Sequence, residues 1–291
     1  IYINIYIYIY IYIYMKLDCV LTAVNNNPLY LEFIPIFVNT WKKLYPSVDV
    51  KIILTAEKIP EEYLDYKENI ILFEPIENVL TSFIAQYIRL LYPCILNYEN
   101  GILITDMDIL PMNRTYYTEH IKEYENTKFI YMRENICFSE SQIAMCYNVA
   151  SPLIWKEIFE INSLEDVRDR LKTVFQSNIV LEGGGNVGWC IDQLHLYEKV
   201  INWNDKTNNF ICLKEKDTGF HRLNRFDFYQ LDDIIKENIS NGVYADYHCY
   251  RPMSTYHKIN NDIYDLLPAM PKEVQSPQLI SKKRRGKRRK K

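Results

Sequence analysis

Two carboxylates at a fixed spacing are the residues of this 291-residue chain best suited to chemistry. Asp106 and Asp108 follow the short apolar run Ile102-Leu103-Ile104, within the stretch GILITDMDILPMN from Gly101 to Asn113. The run is short and β-branched, which predicts a buried strand. On a strand, residues two apart leave the same face. At the end of such a strand, where α/β sheets place their ligand chemistry, adjacent carboxylates repel and are costly to bury without a cation. A divalent ion relieves that cost, and Mg²⁺ characteristically combines one or two carboxylates with substrate phosphates.

Three chemistries compete for this pair. A calcium loop fits badly, because Leu110 and Pro111 stand where a third ligand and a Gly are needed. A metal-dependent phosphatase with Asp106 as its nucleophile also wants Asp-x-Asp after a strand. It would carry Thr or Val at 110 and sit near the chain start. The third is a metal–diphosphate clamp. A solvated acidic turn is the plain alternative; the apolar strand ahead of the pair and its mid-chain position favour the clamp.

Other residues with chemical potential are fewer. Gln86 and Arg89, in the predicted helix Leu80–Leu91, share a face at i,i+3. Asp192 and Gln193 fall in the first turn of a helix predicted over Trp189–Val200, where the helix dipole favours an anion. The glycine cluster Gly183-Gly184-Gly185 precedes them and either lets backbone approach a ligand or makes a flexible loop. His248 follows an apparent turn at Asn241-Gly242, within the segment from Ala245 to Pro252. Asn148 lies near the end of an expected strand, in a place for an acceptor or for a turn-forming side chain.

The segment ILITDMDILPMN resembles the Asp-x-Asp segment of the GT-A glycosyltransferases, which use nucleotide-sugar donors. GWCIDQ is similar to the Trp-x-x-Asp-Gln-like segment that faces the transferred sugar in that family, and DYHCYRP is a third, looser match. The resemblance implies a metal-dependent glycosyltransferase that moves a sugar from a nucleotide-diphosphate-sugar, a UDP-sugar first among them, to a glycan, protein or lipid acceptor. It implies Mn²⁺ or Mg²⁺ held by Asp106, Asp108 and His248, with His221 as the substitute ligand and Asp106 also touching the ribose. Gln86, Arg89 and Arg251 would contact the donor's sugar or diphosphate, and Thr22, Ala23, Val24 and Asn25 would line the base pocket. Asp192, with Gln193 beside it, would either deprotonate the acceptor hydroxyl, which implies inversion, or hold the donor's hydroxyls, which fits retention.

The elements that must position these residues alternate along the chain. Strands are predicted at Cys19–Val24, Val48–Leu54, Ile70–Phe73, Phe129–Met132 and Ile143–Val149, with helices at Tyr30–Leu44 and Leu164–Phe175 among them. That alternation predicts an α/β fold with a mostly parallel central sheet flanked by helices, and the Asp-x-Asp at the end of a central strand. The first βα turn, Asn25-Asn26-Asn27-Pro28, has no Gly, so neither a dinucleotide fingerprint nor a P-loop is present. Its lack of Gly also weighs against a sugar-phosphate nucleotidyltransferase.

Length and 48% hydrophobic content suffice for one sizeable core, here placed at residues 15–271. Residues 1–14 alternate Ile and Tyr, broken only at Asn4, so a strand there would have no solvent face and would invite aggregation. An in-frame TATATA repeat encodes such a run, which predicts a mistranslated low-complexity leader with translation beginning at Met15. It lacks the basic start and small-residue cleavage site of a signal peptide. Seven Cys without a C-x-x-C predict free thiols in a reducing, cytoplasmic setting and argue against a zinc site. Nine of the 34 Lys and Arg crowd into Lys282–Lys291, so an acidic body carries a basic tail, at residues 272–291, predicted to be disordered. That tail suits nucleic acid or an anionic membrane. A nucleic-acid-binding protein acting through it is therefore the reading outside enzymology, although the acidic body is not a basic recognition domain.

Overall fold

The computed structural model describes residues 14–134, 140–175 and 187–268. The glycine cluster, the Ile-Tyr leader up to residue 13 and the basic tail lie outside them. Among the described residues, seven strands form one sheet in the order β3-β2-β1-β4-β7-β6-β8. They are β1 (Leu17–Asn25), β2 (Asp49–Thr55), β3 (Ile70–Phe73), β4 (Gly101–Ile104), β6 (Phe129–Tyr131), β7 (Asn148–Ala150) and β8 (Phe210–Cys212). β1 pairs in parallel with both β2 and β4, β2 with β3, and β6 with β8, while β7 runs antiparallel to β4 and β6. The expected α/β architecture, a mostly parallel central sheet flanked by helices, is the one found.

Burial on both faces explains the strand composition. Ile102, Leu103 and Ile104 of β4 are all fully buried, as continuous apolar runs in parallel sheets are. Gly101 starts that strand because nothing larger fits: a Cβ there would lie 2.7 Å from Val149 Cγ1 and 2.9 Å from the Lys16 carbonyl oxygen. The helix Ile34–Leu44 turns Phe37, Val38 and Trp41 onto the core, and Thr81–Leu91 does the same with Ile84, Ile88 and Leu91. Among the described residues no helix is long and apolar enough to cross a membrane.

Two expected elements are shorter than the periodicity predicts. The helix expected over Tyr30–Leu44 begins only at Ile34. Asn27 caps a separate turn, Pro28–Leu31, accepting from the Leu29 amide at 3.0 Å, and Pro35 cannot accept a helix running through from that turn. The strand expected over Ile143–Val149 is confined to Asn148–Ala150. The Asn148 amide donates back to the carbonyls of Ala144 at 2.6 Å and Met145 at 3.3 Å, which curls residues 144–147 into a turn. Asn148 is thus a turn-forming residue at the start of a strand, not an open group at its end.

A second, three-stranded sheet was not foreseen. It has the order β5-β10-β9, from β5 (Ile109–Pro111), β9 (Arg222–Asn224) and β10 (Asp246–His248). β10 lies antiparallel to β5 and parallel to β9.

Candidate functional site

The site is built where the two sheets meet. The parallel register of β1 and β4 pairs Leu21 with Ile104, and the Thr105 amide donates to the Leu21 carbonyl at 3.0 Å. The chain therefore leaves β4 beside Thr22–Asn25. It turns at once, since the Ile109 amide donates to the Asp106 carbonyl at 3.2 Å. Asp106 and Asp108 thus occupy a turn between β4 and β5, and the same-face argument for a strand does not apply. They face different partners.

β5 carries Asp108 into the small sheet. Ile109 pairs with His248, and the Cys249 amide donates to the Asp108 carbonyl at 2.9 Å. Three side chains then converge on Asp108 Oδ2: Arg225 Nη1 at 3.0 Å, Arg251 Nε at 3.3 Å and His248 Nε2 at 3.4 Å. Asp108 is only 4% exposed. Burial alone would raise its carboxyl, but His248, Arg251 and Arg225 together outweigh that and bring it down to about 2. Arg251 also hydrogen-bonds the Tyr30 phenol and lies over that ring, 5.0 Å from its centroid.

The Asp106 side is organised by Arg89. Far from being a solvated helix residue, Arg89 is 8% exposed. It donates to Asp106 Oδ1 and to the Thr105 carbonyl, and its Nη2 lies 3.4 Å from Asp192 Oδ2. Gln86, one turn back, reaches the start of the helix Val187–Thr207, donating to the Trp189 carbonyl at 2.7 Å and to Asp192 Oδ1 at 3.1 Å. The Gln193 amide donates to the same oxygen at 2.9 Å. Burial pushes the Asp192 carboxyl up to about 6 despite Arg89 and Gln86. The second Asp106 oxygen accepts from the Cys146 thiol at 2.9 Å, and burial pushes that thiol well up, so it stays a neutral donor.

The structure therefore brings Asp108, His248 and Arg251 together on one side, and Gln86, Arg89, Asp106 and Asp192 on the other. It treats the first strand less evenly. Thr22 and Val24 are buried, while Ala23 and Asn25 are partly open, Asn25 donating to Thr81 Oγ1 at 3.1 Å. The Gln193 side chain is half-buried. His221 is exposed against the Tyr244 ring and does not join Asp108. His195 pairs with the Tyr87 hydroxyl at 2.8 Å rather than with Asp192. Sequence reasoning missed Arg225, Cys146 and Tyr30. A signal for Arg225 existed only in the pairing of β9 with β10, which no local pattern announces.

The donors present suit a divalent ion. Asp108 Oδ2 and His248 Nε2, 3.4 Å apart, are close to the separation of two neighbouring ligands on one ion with bonds of about 2.1 Å. A carboxylate with an imidazole favours Mn²⁺ over Mg²⁺, which prefers oxygen alone. Asp106 is held off by Arg89 and Cys146, and among the described residues no three His, Cys, Asp or Glu are already gathered as a shell. What fits is a site with two side-chain ligands, completed by oxygens of a bound phosphate.

No protein-family model matches the chain, and no curated protein matches its sequence. Solved structures do resemble it. One is a galactosyltransferase, LgtC, in complex with donor and acceptor sugar analogues: 11% identity, a TM-score of 0.45, and coverage of 88% of this chain and 98% of that one. Another is the glycosyltransferase GlyE of Streptococcus pneumoniae TIGR4, with 13% identity and a TM-score of 0.43 over 88% of this chain and 66% of that one. Likeness at this level carries no weight for function, which has to be argued from the side chains.

Proposed function

We propose that the chain is a metal-dependent glycosyltransferase that moves a sugar from a nucleotide-diphosphate-sugar to an acceptor. The observation that carries this reading is the convergence on Asp108 Oδ2 of one imidazole and two guanidinium groups. A single buried carboxylate has fewer negative charges than its neighbours have positive ones. A diphosphate supplies the missing anion, and guanidinium forks match its oxygens.

Asp108 and His248 would hold Mn²⁺ or Mg²⁺, which when bound supplies positive charge to the departing diphosphate. Arg251 would hold a phosphate oxygen, with Tyr30 bracing its guanidinium. Ala23 and Asn25 are the members of the first strand open enough to meet a base. Asp106, fixed by Arg89 and Cys146 and with its side chain 37% exposed, would present its carboxylate edge to the ribose or reach the ion through water. Asp192 is 2% exposed and has both oxygens engaged. That favours holding a donor hydroxyl over stripping a proton from an acceptor, and hence retention. A nucleophilic Asp106, as a phosphatase needs, is disfavoured because Arg89 and Cys146 occupy both of its oxygens.

Melting curves with UDP-, GDP- and CDP-sugars, each with and without Mn²⁺, test the reading. Ligand at a hundred times its dissociation constant adds about 2.7 kcal/mol, which for a domain of this size is a shift of roughly 5–10 °C. One nucleotide should shift the curve, and only with Mn²⁺ present. No shift with any of the three sugars would reject the proposal.

A further inference from the structure

We propose that Arg225 is a latch that makes metal binding at Asp108 conditional on a bound diphosphate. The inference rests on the reading above and concerns the order in which the site accepts its charges. Arg225 follows β9 directly, and Asn224 at the end of β9 pairs with His248 at the end of β10. The Arg225 amide donates to the His248 carbonyl at 3.2 Å. Backbone pairing thus fixes Arg225 beside His248, whatever its side chain does.

The side chain is 10% exposed, and its Nη1 is shared between Asp108 Oδ2 at 3.0 Å and the Cys249 carbonyl at 2.7 Å. Its guanidinium covers the Phe226 ring at 5.0 Å, and that ring stands edge-on to His248 at 6.2 Å. Arg225 therefore occupies the coordinating face of the very oxygen that a metal ion needs, with Arg251 at 3.3 Å on the same atom. A bare divalent cation would have to displace one guanidinium and then sit beside two. Charge repulsion at a buried position makes that unfavourable. A diphosphate changes the balance: its oxygens draw the guanidinium groups off Asp108, and its charge offsets the ion. Metal and diphosphate should therefore bind far more tightly together than either does alone, a coupling that is reciprocal by linkage.

Mn²⁺ binding, read by electron paramagnetic resonance on the full chain, tests this with inorganic pyrophosphate and UDP as probes. The wild type should take Mn²⁺ weakly alone and at least tenfold more tightly with either probe. Arg225→Gln should bind Mn²⁺ alone several-fold more tightly than wild type, bind pyrophosphate less tightly, and lose most of the enhancement. Arg225→Lys keeps the charge and should stay weak toward Mn²⁺ alone. If Arg225→Gln does not fold, as judged by circular dichroism, Arg251→Gln acts on the same oxygen and should also raise affinity for Mn²⁺ alone. The latch is overturned if the Gln variants take Mn²⁺ alone no better than wild type, or if both affinities fall together as a merely structural role would require. If wild type takes no Mn²⁺ under any condition, the metal–diphosphate reading and the latch fall together; if it does and the variants match it, the latch falls alone.

Discussion

The two halves of the site treat an aspartate in opposite ways. On the Asp106 side, one buried Arg89 spans two carboxylates, Asp106 and Asp192, and the remaining acceptors are met by Cys146, Gln86 and the Gln193 amide. Negative charge exceeds positive there, and the group that gives way is Asp192, whose carboxyl is pushed up to about 6. On the Asp108 side one carboxylate meets two guanidinium groups and an imidazole, and positive charge is in excess. The first half is a frame built of fixed partners. On the proposed function, the second is a receptor with its own carboxylate as a placeholder. Two residues apart in sequence, the aspartates are thus suited to different work: Asp106 to hold shape and Asp108, on the proposal above, to exchange partners.

The comparison breaks most visibly through Arg89. Arg89→Ala strands the buried Asp192 carboxylate and frees the partly exposed Asp106, and removing one partner of a buried pair costs about 3–5 kcal/mol. Chemical denaturation should show that loss, with Arg89→Lys recovering only part because a single ammonium cannot span both. Asp108→Asn tests the other half. It should cost less stability than Arg89→Ala, because Asn keeps an acceptor for Arg225 and Arg251, while lowering Mn²⁺-dependent hydrolysis of the preferred nucleotide-sugar by about 10²–10³-fold, the usual cost of removing a group that stabilises developing charge. If Asp108→Asn unfolds the chain and Arg89→Ala does not, the division between frame and receptor is reversed.

Much of this layout could be read before the fold was seen, for reasons that differ between the halves. The main sheet was legible because buried parallel strands are written as local apolar runs, and Ile102-Leu103-Ile104 is such a run. Asp108, His248 and Arg251 could be named from motif-like segments, and they meet on one oxygen. The small sheet was not legible. Its strands, Ile109–Pro111, Arg222–Asn224 and Asp246–His248, are three residues each, too short for any period to register. Arg225 is placed by the pairing of β9 with β10 and meets Asp108, far away in sequence, only through the fold, so no local pattern marked it out. Cys146 was hidden differently: a strand was expected where Asn148 folds a turn, and only that turn aims the thiol at Asp106.

A titration sharpens the frame further. The Asp192 carboxyl moves from its ordinary 3.8 to about 6, with burial the main cause. A folded state that holds its proton more tightly than the unfolded chain gains stability at low pH. That gain is complete below about 3.8 and is lost as pH rises through about 6. Its upper bound is about 3 kcal/mol, at 1.36 kcal/mol for each unit. Asp192→Asn cannot titrate, so the difference in melting temperature between it and wild type should change across pH 4–6 and be flat above pH 7. A constant difference across that range would show that Asp192 is ionised throughout and that Arg89 fully compensates it.

The smallest expected effect falls on Cys146. Its thiol is buried and donates to Asp106 Oδ2 at 2.9 Å, so it acts as a neutral spacer that orients the carboxylate without adding charge. Cys146→Ser keeps a donor with a shorter reach and should cost about 1 kcal/mol or less. Cys146→Ala removes the donor and should cost about 1–2 kcal/mol, since an acceptor that loses its partner at a buried position retains its desolvation penalty. Because Asp106 is 37% exposed at its side chain, water can replace part of that bond and hold the cost to the lower end. The diagnostic quantity is affinity for nucleoside diphosphate with Mn²⁺, measured by calorimetry. If Asp106 serves as frame, both variants should keep that affinity within about threefold while Asp108→Asn abolishes it. A Cys146→Ala protein that loses metal-dependent binding outright would mean that the orientation of Asp106, and not only its presence, belongs to the receptor half.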